Sequence, residues 1–378
     1  MKHKIVINTT TLKIGGALQV AYSIVNELIL IKSNHHFLIL CSPEFFEQLK
    51  NLQFPDNFSY KLINTSPAKF FTRRAITRQL NEIVSDFEAE VVLTVFGPSY
   101  WRPEVRHICG FADGWCYYPK TIAYSRLNII DKFKRKLLSK YKLHHLKREV
   151  DFLFIETDDA KERLIDILNY DASKIVTINN TYSNIYNSSN ISGPSILEDR
   201  TEGEMRFLLL SANYPHKNIS ILNQVIPLLK DKIHCFKFIL TIPPDEINSL
   251  ISPQNMNWIT NVGPVNVSDC LKLYNESDFL FLPTLLETFT ATYPEAMKMR
   301  KLILTSNLSF AKDICADAAI YFNPLDPHEI VNKIVGVVNN SNNINEIVKE
   351  GCNRVQLFPT ASERAASLLQ LCININKK

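Results

Sequence analysis

Residues 278–295 read Asp-Phe-Leu-Phe-Leu-Pro-Thr-Leu-Leu-Glu-Thr-Phe-Thr-Ala-Thr-Tyr-Pro-Glu. The short apolar run after Asp278 is typical of a strand buried inside a parallel sheet. A helix is predicted from about Thr292, with a proline tolerated in its first turn. Free backbone N–H groups at its start would lie at the carboxyl edge of the sheet, where open α/β folds bind phosphates. The stretch therefore predicts a site for a phosphorylated, hydroxyl-rich ligand, with Glu287 and Glu295 beside it.

The same alternation of buried strands and amphipathic helices runs through both halves of the chain. Predicted strands lie at residues 4–9, 37–41, 91–95, 107–112 and 151–155, and then at 206–211, 236–242, 258–262, 279–282, 302–305 and 319–322. The strict alternation of strands and helices along the chain indicates parallel, doubly wound sheets. The predicted fold class is therefore α/β, with two Rossmann-like doubly wound domains facing across a cleft.

A polar stretch separates the two halves. Residues 184–204 are rich in Asn, Ser and acidic residues, a composition typical of linkers. Near the end of the chain, Thr360-Ala-Ser-Glu363 is a capping-box pattern that opens a terminal helix. The predicted boundaries are an N-terminal domain at 1–190, a linker at 191–204, a C-terminal domain at 205–358, and a terminal helix at 359–378 that packs back on the N-terminal domain.

The composition is that of a folded globular protein, since 46% of the 378 residues are apolar and the mean hydropathy is close to zero. No apolar run reaches the roughly 18 to 20 residues of a membrane span. Residues 1–7 lead directly into a strand rather than into the apolar core of a signal peptide, so we expect a cytoplasmic protein. The eight cysteines form no CxxC pair, which favours reduced thiols over zinc ligands or disulfides.

The two glutamates are each open to a second interpretation. Functional residues concentrate on loops carried by rigid sheets, which favours a ligand role for Glu287, but a solvated loop glutamate has the same pattern. Thr292-Tyr-Pro-Glu295 is itself a capping-box pattern, in which the glutamate bonds a backbone amide at the start of the helix. The sequence leaves both roles open for Glu295.

Three further candidates lie where predicted strands end. Lys217 follows the strand at 206–211, where a lysine can neutralise a diphosphate as a point charge or be one more exposed lysine. Gly15 and Gly16 join the first strand to the first helix and would let backbone amides approach a ligand, but a mere tight turn also explains them. Asp113 could orient an acceptor hydroxyl or cap the next turn.

The positive charge is concentrated in residues 132–148, which hold eight lysines or arginines and no acidic residue. We expect the partner of this segment to be anionic. Its helix resembles one that docks on anionic lipid, although a solvated face over an ordinary core stripe gives the same pattern. No recognisable nucleic-acid motif accompanies the charge. One helical face is apolar: Ile130, Phe133, Leu137, Leu138 and Tyr141. The membrane-surface candidates are Lys132, Lys134, Arg135, Lys136 and Lys140.

Together these segments resemble the retaining GT-B glycosyltransferases of glycosyltransferase family 4, also called group 1. The resemblance is most specific between about residues 206 and 330, where the eight-residue step between the two glutamates is its most specific element. The family's segments occur in their usual order: Asn261-Val-Gly263-Pro-Val265, Leu271-Lys-Leu-Tyr274, Ser277-Asp278, Pro283-Thr284, Glu287 through Glu295-Ala-Met297, and Tyr321-Phe-Asn-Pro324.

The resemblance implies that the C-terminal domain binds a nucleotide-sugar donor and that the N-terminal domain lies on the acceptor side. Glu287 would lie by the donor sugar, Glu295 would hold the ribose hydroxyls, and Lys217 would bind the phosphates. Glu287 and Asp113 are the catalytic candidates. The other implied donor contacts are Phe289, Thr290, Ala291 and Thr292 at the diphosphate, Gly15 and Gly16 across the cleft, and Gly263 and Val265 near the base.

The expected enzyme is a hexosyltransferase that moves a sugar from a UDP- or GDP-sugar to a growing, lipid-linked bacterial surface polysaccharide of the O-antigen or capsule type. No metal cofactor is expected, because a lysine and backbone amides can hold the diphosphate. Nucleic acid is not an expected partner. The expected location is the cytoplasm, peripheral at the inner face of the cytoplasmic membrane.

Some positions depart from the family's pattern. Ala212 stands where an arginine is usual, Ala112 stands where many members have a histidine, and Thr288 and Thr290 replace common glycines. Two rival hypotheses stay open, and the changes at Ala212 and Ala112 favour the second of them. One is a nucleotide-sugar epimerase or phosphorylase on a similar frame, and the other is a non-catalytic nucleotide-binding relative.

Overall fold

The structure is a computed structural model that describes residues 2–50, 52–187, 193–339 and 344–375. The chain divides into two compact units. Unit 1 consists of Met1–Pro119, Phe133–Asn180 and Pro359–Lys378, and unit 2 consists of Lys120–Lys132 and Thr181–Phe358. No sequence pattern indicated the grouping of residues 120–132 with unit 2. The predicted linker at 191–204 begins outside the described residues, and the predicted domain boundaries stay predictions.

Within the described residues the chain forms thirteen strands, and every strand pair is parallel. In unit 1 they are β1 Lys4–Thr9, β2 His36–Cys41, β3 Phe58–Leu62, β4 Val91–Thr94, β5 Arg106–Gly110, β6 Phe152–Ile155 and β7 Ile175–Thr177. In unit 2 they are β8 Met205–Leu209, β9 Phe236–Leu240, β10 Ile259–Asn261, β11 Phe279–Leu282, β12 Leu302–Ser306 and β13 Ala319–Phe322.

Fourteen α-helices connect or follow these strands in the described part of the chain. The first seven are α1 Gly16–Leu30, α2 Pro43–Leu49, α3 Arg73–Asp86, α4 Gly114–Tyr117, α5 Ile129–Glu149, α6 Asp158–Leu168 and α7 Leu222–Leu229. The others are α8 Ile247–Leu250, α9 Val267–Glu276, α10 Thr292–Lys298, α11 Ser309–Cys315, α12 Pro327–Asn339, α13 Ile344–Val355 and α14 Ala361–Ile375.

Each sheet reverses its strand order once. The order is β3-β2-β1-β4-β5-β6-β7 in unit 1 and β10-β9-β8-β11-β12-β13 in unit 2. The switch points therefore lie between β1 and β4 and between β8 and β11, and ligands of doubly wound folds bind at the carboxyl ends of the strands that flank such a point. The predicted class, two Rossmann-like α/β domains with parallel sheets, is confirmed.

The burial of the strands explains why most of them could be predicted from the sequence. All four residues of β4 and of β11 are buried, because helices cover both faces of a parallel sheet. Two strands, β3 and β7, were not predicted from the sequence, and they form the two ends of the unit 1 sheet. Four of the five residues of β3 are exposed, so this edge strand lacks the apolar run that marks a buried strand.

The terminal helix α14 belongs to unit 1, although about 180 residues separate it from the rest of that unit. Its apolar side chains share a core cluster with those of α1. The buried Arg364 guanidinium donates to Ser23 Oγ over 2.9 Å and also to the side-chain oxygen of Asn180. The predicted capping box at its start is confirmed, since the Thr360 amide donates to Glu363 Oε2 over 2.8 Å and the Glu363 amide donates to Thr360 Oγ1 over 3.1 Å.

Candidate active site

Lys217 and Glu287 meet at the switch point of unit 2. Lys217 lies on the connection after β8 and Glu287 on the connection after β11, and these two strands are direct neighbours in the sheet. The Lys217 Nζ lies 2.5 Å from Glu287 Oε1, and both side chains are largely shielded from solvent. A partly desolvated ion pair at this edge places one cation and one carboxylate where the fold binds ligands.

The loops that carry this pair are tied to each other. A short 3-10 helix at Pro215–Lys217 ends at Asn218, whose left-handed backbone (φ of 56°) turns the chain. The buried Asn218 amide group donates to the Pro283 carbonyl over 3.2 Å and to the Pro324 carbonyl over 2.8 Å. These bonds fix the Lys217 loop against the loop after β11. The ion pair is therefore held by the backbone around it as well as by its own charges.

Thr284 anchors Glu287 from its own loop. The Thr284 hydroxyl lies 3.0 Å from Glu287 Oε1 and can donate to it. The Leu285 amide donates to the His216 carbonyl over 2.7 Å, which brings the two loops together a second time. Residues 120–132 join here as well, since the Thr121 hydroxyl lies 3.3 Å from the Leu285 carbonyl. Glu287 thus has a fixed position, and the interpretation as a freely solvated loop glutamate is wrong.

The backbone between the two glutamates offers free donors. In the part of the chain that the structure describes, the amides of Phe289, Thr290, Ala291 and Thr292 donate to no acceptor. The Tyr293 amide already bonds the Thr290 carbonyl, and the Glu295 amide bonds that of Ala291. Four successive unused N–H groups ahead of α10 can bind an anion.

Glu295 lies in the first turn of α10 and does not form the capping box that Thr292-Tyr-Pro-Glu295 suggested. The helix begins one residue too early for that, because Ala291 already has helical dihedrals and occupies the cap position without a side-chain bond. The Tyr274 hydroxyl instead lies 3.3 Å from Glu295 Oε2 and 3.0 Å from the Thr292 carbonyl, and it can donate its proton to either acceptor. Burial raises the pKa of Glu295 to about 7, although the phenols of Tyr274 and Tyr186 act to lower it.

Gly263 and Val265 lie on the connection after β10. The Gly263 φ is +76°, a conformation that side chains rarely adopt, and its neighbour Val262 donates from its amide to the Leu240 carbonyl over 2.9 Å. A Cβ built on Gly263 would come no closer than 3.9 Å to the Pro244 ring. The glycine therefore serves the turn rather than relieving a clash. Val265 is half-buried on the same connection.

The three candidates in unit 1 lie at the carboxyl edge of its own sheet. Gly15 and Gly16 are exposed between β1 and α1, and Gly15 has a φ of +73° at the helix cap. Asp113 caps α4, since its Oδ1 accepts from the Trp115 amide over 3.0 Å. Its other oxygen lies 2.6 Å from Lys142 Nζ on α5. The capping alternative for Asp113 is therefore present in the structure.

The five membrane-surface candidates lie on α5. Lys134, Lys136 and Lys140 are exposed, Lys132 is half-buried, and the Arg135 guanidinium lies 5.0 Å from the centre of the Trp115 ring. The apolar face predicted for this helix is not a core stripe, because Ile130, Phe133 and Leu137 are each more than half exposed. The buried residues of α5 lie elsewhere, at Ser139, Leu146 and Glu149.

Several side chains at these sites were not singled out from the sequence. Thr284 and Tyr274 stand in segments that resemble family motifs, but neither had a role before the structure placed it against a glutamate. Asn218 directly follows Lys217, and only its bonds to two carbonyls show that it joins three loops. Tyr186 lies more than eighty residues before α9 and more than one hundred before α10 in sequence, and no local pattern signals its contact with Tyr274 and Glu295.

Neither a metal cluster nor a membrane span is found in the described chain. Its His, Cys, Asp and Glu side chains form no group of three or more that could hold a metal ion. None of its helices is long and apolar enough to cross a bilayer.

Comparison with known proteins shows which class of protein has this fold. Over the whole chain, the structure is similar to a glycosyltransferase from Rickettsia africae ESF-5, with a TM-score of 0.75, 18% identity, and coverage of 100% of this chain and 99% of that one. It is also similar to HepE from Anabaena in complex with UDP and glucose, with a TM-score of 0.71, 12% identity, and coverage of 98% and 100%. WaaG, a glycosyltransferase involved in lipopolysaccharide biosynthesis, gives a TM-score of 0.68, 12% identity, and coverage of 96% and 98%.

Two parallel-sheet Rossmann-like units that match these structures constitute the GT-B fold of glycosyltransferases. Residues 205–340 match the model of the family described as Glycosyl transferases group 1, a region that contains Lys217, Glu287 and Glu295. This segment of unit 2 is therefore a group 1 glycosyltransferase domain, and the fold of the two units is that of the GT-B glycosyltransferases. A comparison with curated protein sequences gives no match.

Proposed function

We propose that this enzyme transfers a hexose from a UDP- or GDP-sugar to a lipid-linked glycan, with retention at the anomeric carbon. The observation that carries the donor half of this proposal is the Lys217–Glu287 ion pair beside four unused backbone amides at the unit 2 switch point. One edge thus offers a cation and N–H donors for a diphosphate together with carboxylates for sugar hydroxyls.

Each polar group would then have one task. The Lys217 ammonium and the amides of residues 289–292 would neutralise the diphosphate, whose negative charge grows as the bond from the anomeric carbon to the phosphate oxygen breaks. Glu287 would position the sugar and balance the positive charge that develops on its anomeric carbon. The acceptor oxygen forms the new bond to that carbon, and its proton passes to an oxygen of the departing diphosphate.

The ion pair suggests how the ligand-free enzyme keeps both groups in place. Without donor, Lys217 and Glu287 neutralise each other, and neither charge is left alone in a partly desolvated site. A bound diphosphate would compete for the Lys217 ammonium and release the carboxylate to the sugar. This scheme needs no metal ion, so we expect chelators to leave transfer unchanged.

Glu295, Gly263 and Val265 would hold the nucleoside. The Glu295 carboxylate, with the Tyr274 hydroxyl 3.3 Å from its Oε2, would accept from the ribose hydroxyls, and the backbone at Gly263 and Val265 would lie near the base. Gly15 and Gly16 would approach the donor phosphates through their amides, and Asp113 would act on the acceptor. The complex of HepE with UDP and glucose is consistent with a nucleotide-sugar donor.

A thermal-shift panel of nucleoside diphosphates tests the donor half. A ligand that binds only the folded chain raises its melting temperature with the logarithm of the ligand concentration. We expect UDP or GDP to raise it, and the Lys217→Met variant to lose most of that shift. If no nucleoside diphosphate changes the melting temperature, the donor assignment fails. Product analysis tests the two rival enzyme hypotheses, since an epimerase converts free donor without acceptor and a phosphorylase requires inorganic phosphate.

The lipid-linked acceptor and a position at the cytoplasmic face of the membrane rest on α5. Its exposed apolar face is flanked by lysines, and residues 132–148 contain no acidic side chain. WaaG, whose fold is similar, is involved in lipopolysaccharide biosynthesis. A basic, apolar helix of this kind binds anionic lipid surfaces, where each cation contributes about 1 kcal/mol.

Changing Lys134, Lys136 and Lys140 to Gln should weaken cosedimentation with anionic vesicles by about 100-fold at low salt. Arg135 is left intact because it packs on Trp115. The matched control changes Lys174, Lys333 and Lys349, which are also exposed, and removes the same charge elsewhere. Equal loss in both variants would mean that only net charge matters, and no loss in either would remove the membrane hypothesis.

A further inference from the structure

Two adjacent phenylalanines stand almost fully in solvent on unit 1. Phe70 is 75% exposed and Phe71 is 97% exposed, on the connection between β3 and α3. Single exposed apolar side chains are common, but two neighbouring large aromatic rings on a connection mark an interaction surface. Neither ring takes part in the donor site, and sequence reasoning did not single them out.

Arg73 holds this connection in a defined conformation. Its Nε donates to the Pro67 carbonyl over 2.9 Å, and one Nη donates to the Ala68 carbonyl over 3.1 Å. The same guanidinium lies 5.9 Å from the centre of the Phe70 ring, within cation–π range. The phenylalanines are therefore presented to solvent by a fastened loop rather than by a loose one.

The fastened loop is continuous with α5. The Arg73 guanidinium lies 5.8 Å from the centre of the Tyr141 ring and 5.1 Å from that of Tyr100, and these two rings stack with centroids 5.9 Å apart. Tyr141 is one turn from the exposed Leu137 and two turns from the exposed Phe133. We call this continuous surface the aromatic ridge: Phe70, Phe71, Tyr141, Leu137 and Phe133.

The two sequence segments that carry the aromatic ridge are basic. Residues 63–80 contain Lys69, Arg73, Arg74 and Arg78 and no acidic residue. Residues 132–148 contain no acidic residue either. Lys69, Arg74 and Arg78 are exposed. An apolar ridge between two basic, acid-free segments is complementary to an apolar layer below an anionic surface, which is the structure of an anionic lipid leaflet.

We propose that the aromatic ridge inserts into an anionic bilayer, with Phe70 and Phe71 as the deepest-reaching side chains and the flanking lysines and arginines at the lipid headgroups. The inference rests on the proposed membrane position and deepens it, because it adds insertion to surface attraction. Charge attraction is screened by salt, whereas burial of aromatic rings is not. The insertion therefore predicts a part of the membrane affinity that survives high salt.

The first experiment compares the full chain with its Phe70→Ser/Phe71→Ser variant on vesicles of phosphatidylcholine and phosphatidylglycerol. We expect the double variant to bind on the order of 100-fold more weakly, from about a 10-fold loss for each ring, and to lose most of the binding that remains at high salt. Leu357→Ser is the matched control, since Leu357 is 71% exposed in unit 2 and outside the ridge. It should bind like the unchanged chain.

The second experiment keeps an aromatic ring at the same place. Phe71→Trp should show a blue-shifted fluorescence on addition of these vesicles, and brominated lipid should quench it. Vesicle binding without a blue shift and without quenching would overturn the insertion. This variant remains informative even if the double serine variant folds poorly.

The outcomes separate the insertion from the broader membrane proposal. If the lysine variant on α5 loses vesicle binding while the double serine variant binds normally, the membrane position stands and the insertion is wrong. If the unchanged chain binds no vesicles, both proposals fall. If sedimentation without lipid shows a dimer that the double serine variant abolishes, the aromatic ridge is a contact between two copies of this chain and the insertion is again wrong.

Discussion

The two sheets share one strand order, apart from a seventh strand in unit 1, but the residues at their carboxyl edges differ. At the unit 2 switch point, a lysine and a threonine both contact one glutamate, beside four amides that are unused within the described residues. The corresponding connection after β1 in unit 1 carries the exposed glycines Gly15 and Gly16 and a single charged side chain, that of Lys13. Topology therefore decides where a ligand can bind, and the side chains at that place decide which ligand it is.

The comparison extends to the acidic residues. Glu287 is paired within its own site, and a bound phosphate could release it from Lys217. Asp113 in unit 1 is engaged on both oxygens, one at the cap of α4 and one with Lys142. Glu287 keeps its Oε2 without a partner among the described residues, because Lys217 and Thr284 both contact Oε1, so we propose the larger catalytic role for Glu287.

The largest effect is expected from Glu287→Ala, which tests the catalytic role proposed for this residue. Loss of a carboxylate that balances charge in the transition state should lower kcat on the order of 10²- to 10³-fold, while affinity for the nucleoside diphosphate changes only a few-fold. Transfer assays and calorimetry measure the two quantities. Glu202→Ala, at an exposed glutamate of unit 2, is the matched control and should be unaffected. Unchanged transfer in Glu287→Ala would refute its role.

The Asp113→Asn variant tests the acidic residue of unit 1 in the same comparison. This change keeps the cap of α4 but weakens the bond to Lys142, so we expect a smaller fall in kcat, about 10-fold, with little change in stability. A loss as large as that of Glu287→Ala would show that Asp113 is a catalytic group of equal weight. The transfer assay at a saturating donor concentration measures this change in kcat.

Nucleotide binding should depend on pH through Glu295. Its pKa is raised to about 7 by burial, so the carboxyl is charged above this pH and protonated below it. Ribose hydroxyls donate to the charged form, and affinity should therefore be full above pH 7 and fall up to about 10-fold per unit below it.

The phenol of Tyr274 lowers this pKa, so Tyr274→Phe should move the loss of affinity to higher pH. Glu295→Gln should remove the carboxyl's contribution and leave only the titration of the phosphates. Calorimetry from pH 5.5 to 8.5 with the best-binding diphosphate compares the three proteins. Coincident profiles for Tyr274→Phe and the unchanged chain would show that Tyr274 has no influence on Glu295.

The smallest effects are expected at the unit 1 glycines. A Cβ added at Gly15 or Gly16 meets no atom within 4 Å, so neither change causes a clash. Gly15→Ala should cost about 1–2 kcal/mol because of its positive φ. Gly16→Ala should be neutral or slightly stabilising at the start of α1. A rise in the donor KM for Gly16→Ala would then report the approach of a ligand, and an unchanged KM would favour the simple tight turn.

Much of the fold and part of the candidate site could be predicted from the sequence, for a definite reason. Buried parallel strands such as β4 and β11 read as uninterrupted apolar runs, and the residues that follow them must lie at one edge of the sheet. This placed Lys217 and Glu287 at the same edge before their contact was known. The exposed edge strand β3 has no such signal and was missed.

The sequence by itself determined the α/β class, the position of both candidate edges and the concentration of positive charge in residues 132–148, because strand burial and charge are local properties of the chain. Only the tertiary structure decided that Thr284 and Asn218 fix the ion pair. It also decided that Glu295 contacts the Tyr274 hydroxyl instead of forming a capping box, and that the apolar face of α5 is exposed. These outcomes depend on which distant segments pack together, and burial of a side chain depends on those neighbours rather than on its own helix or strand.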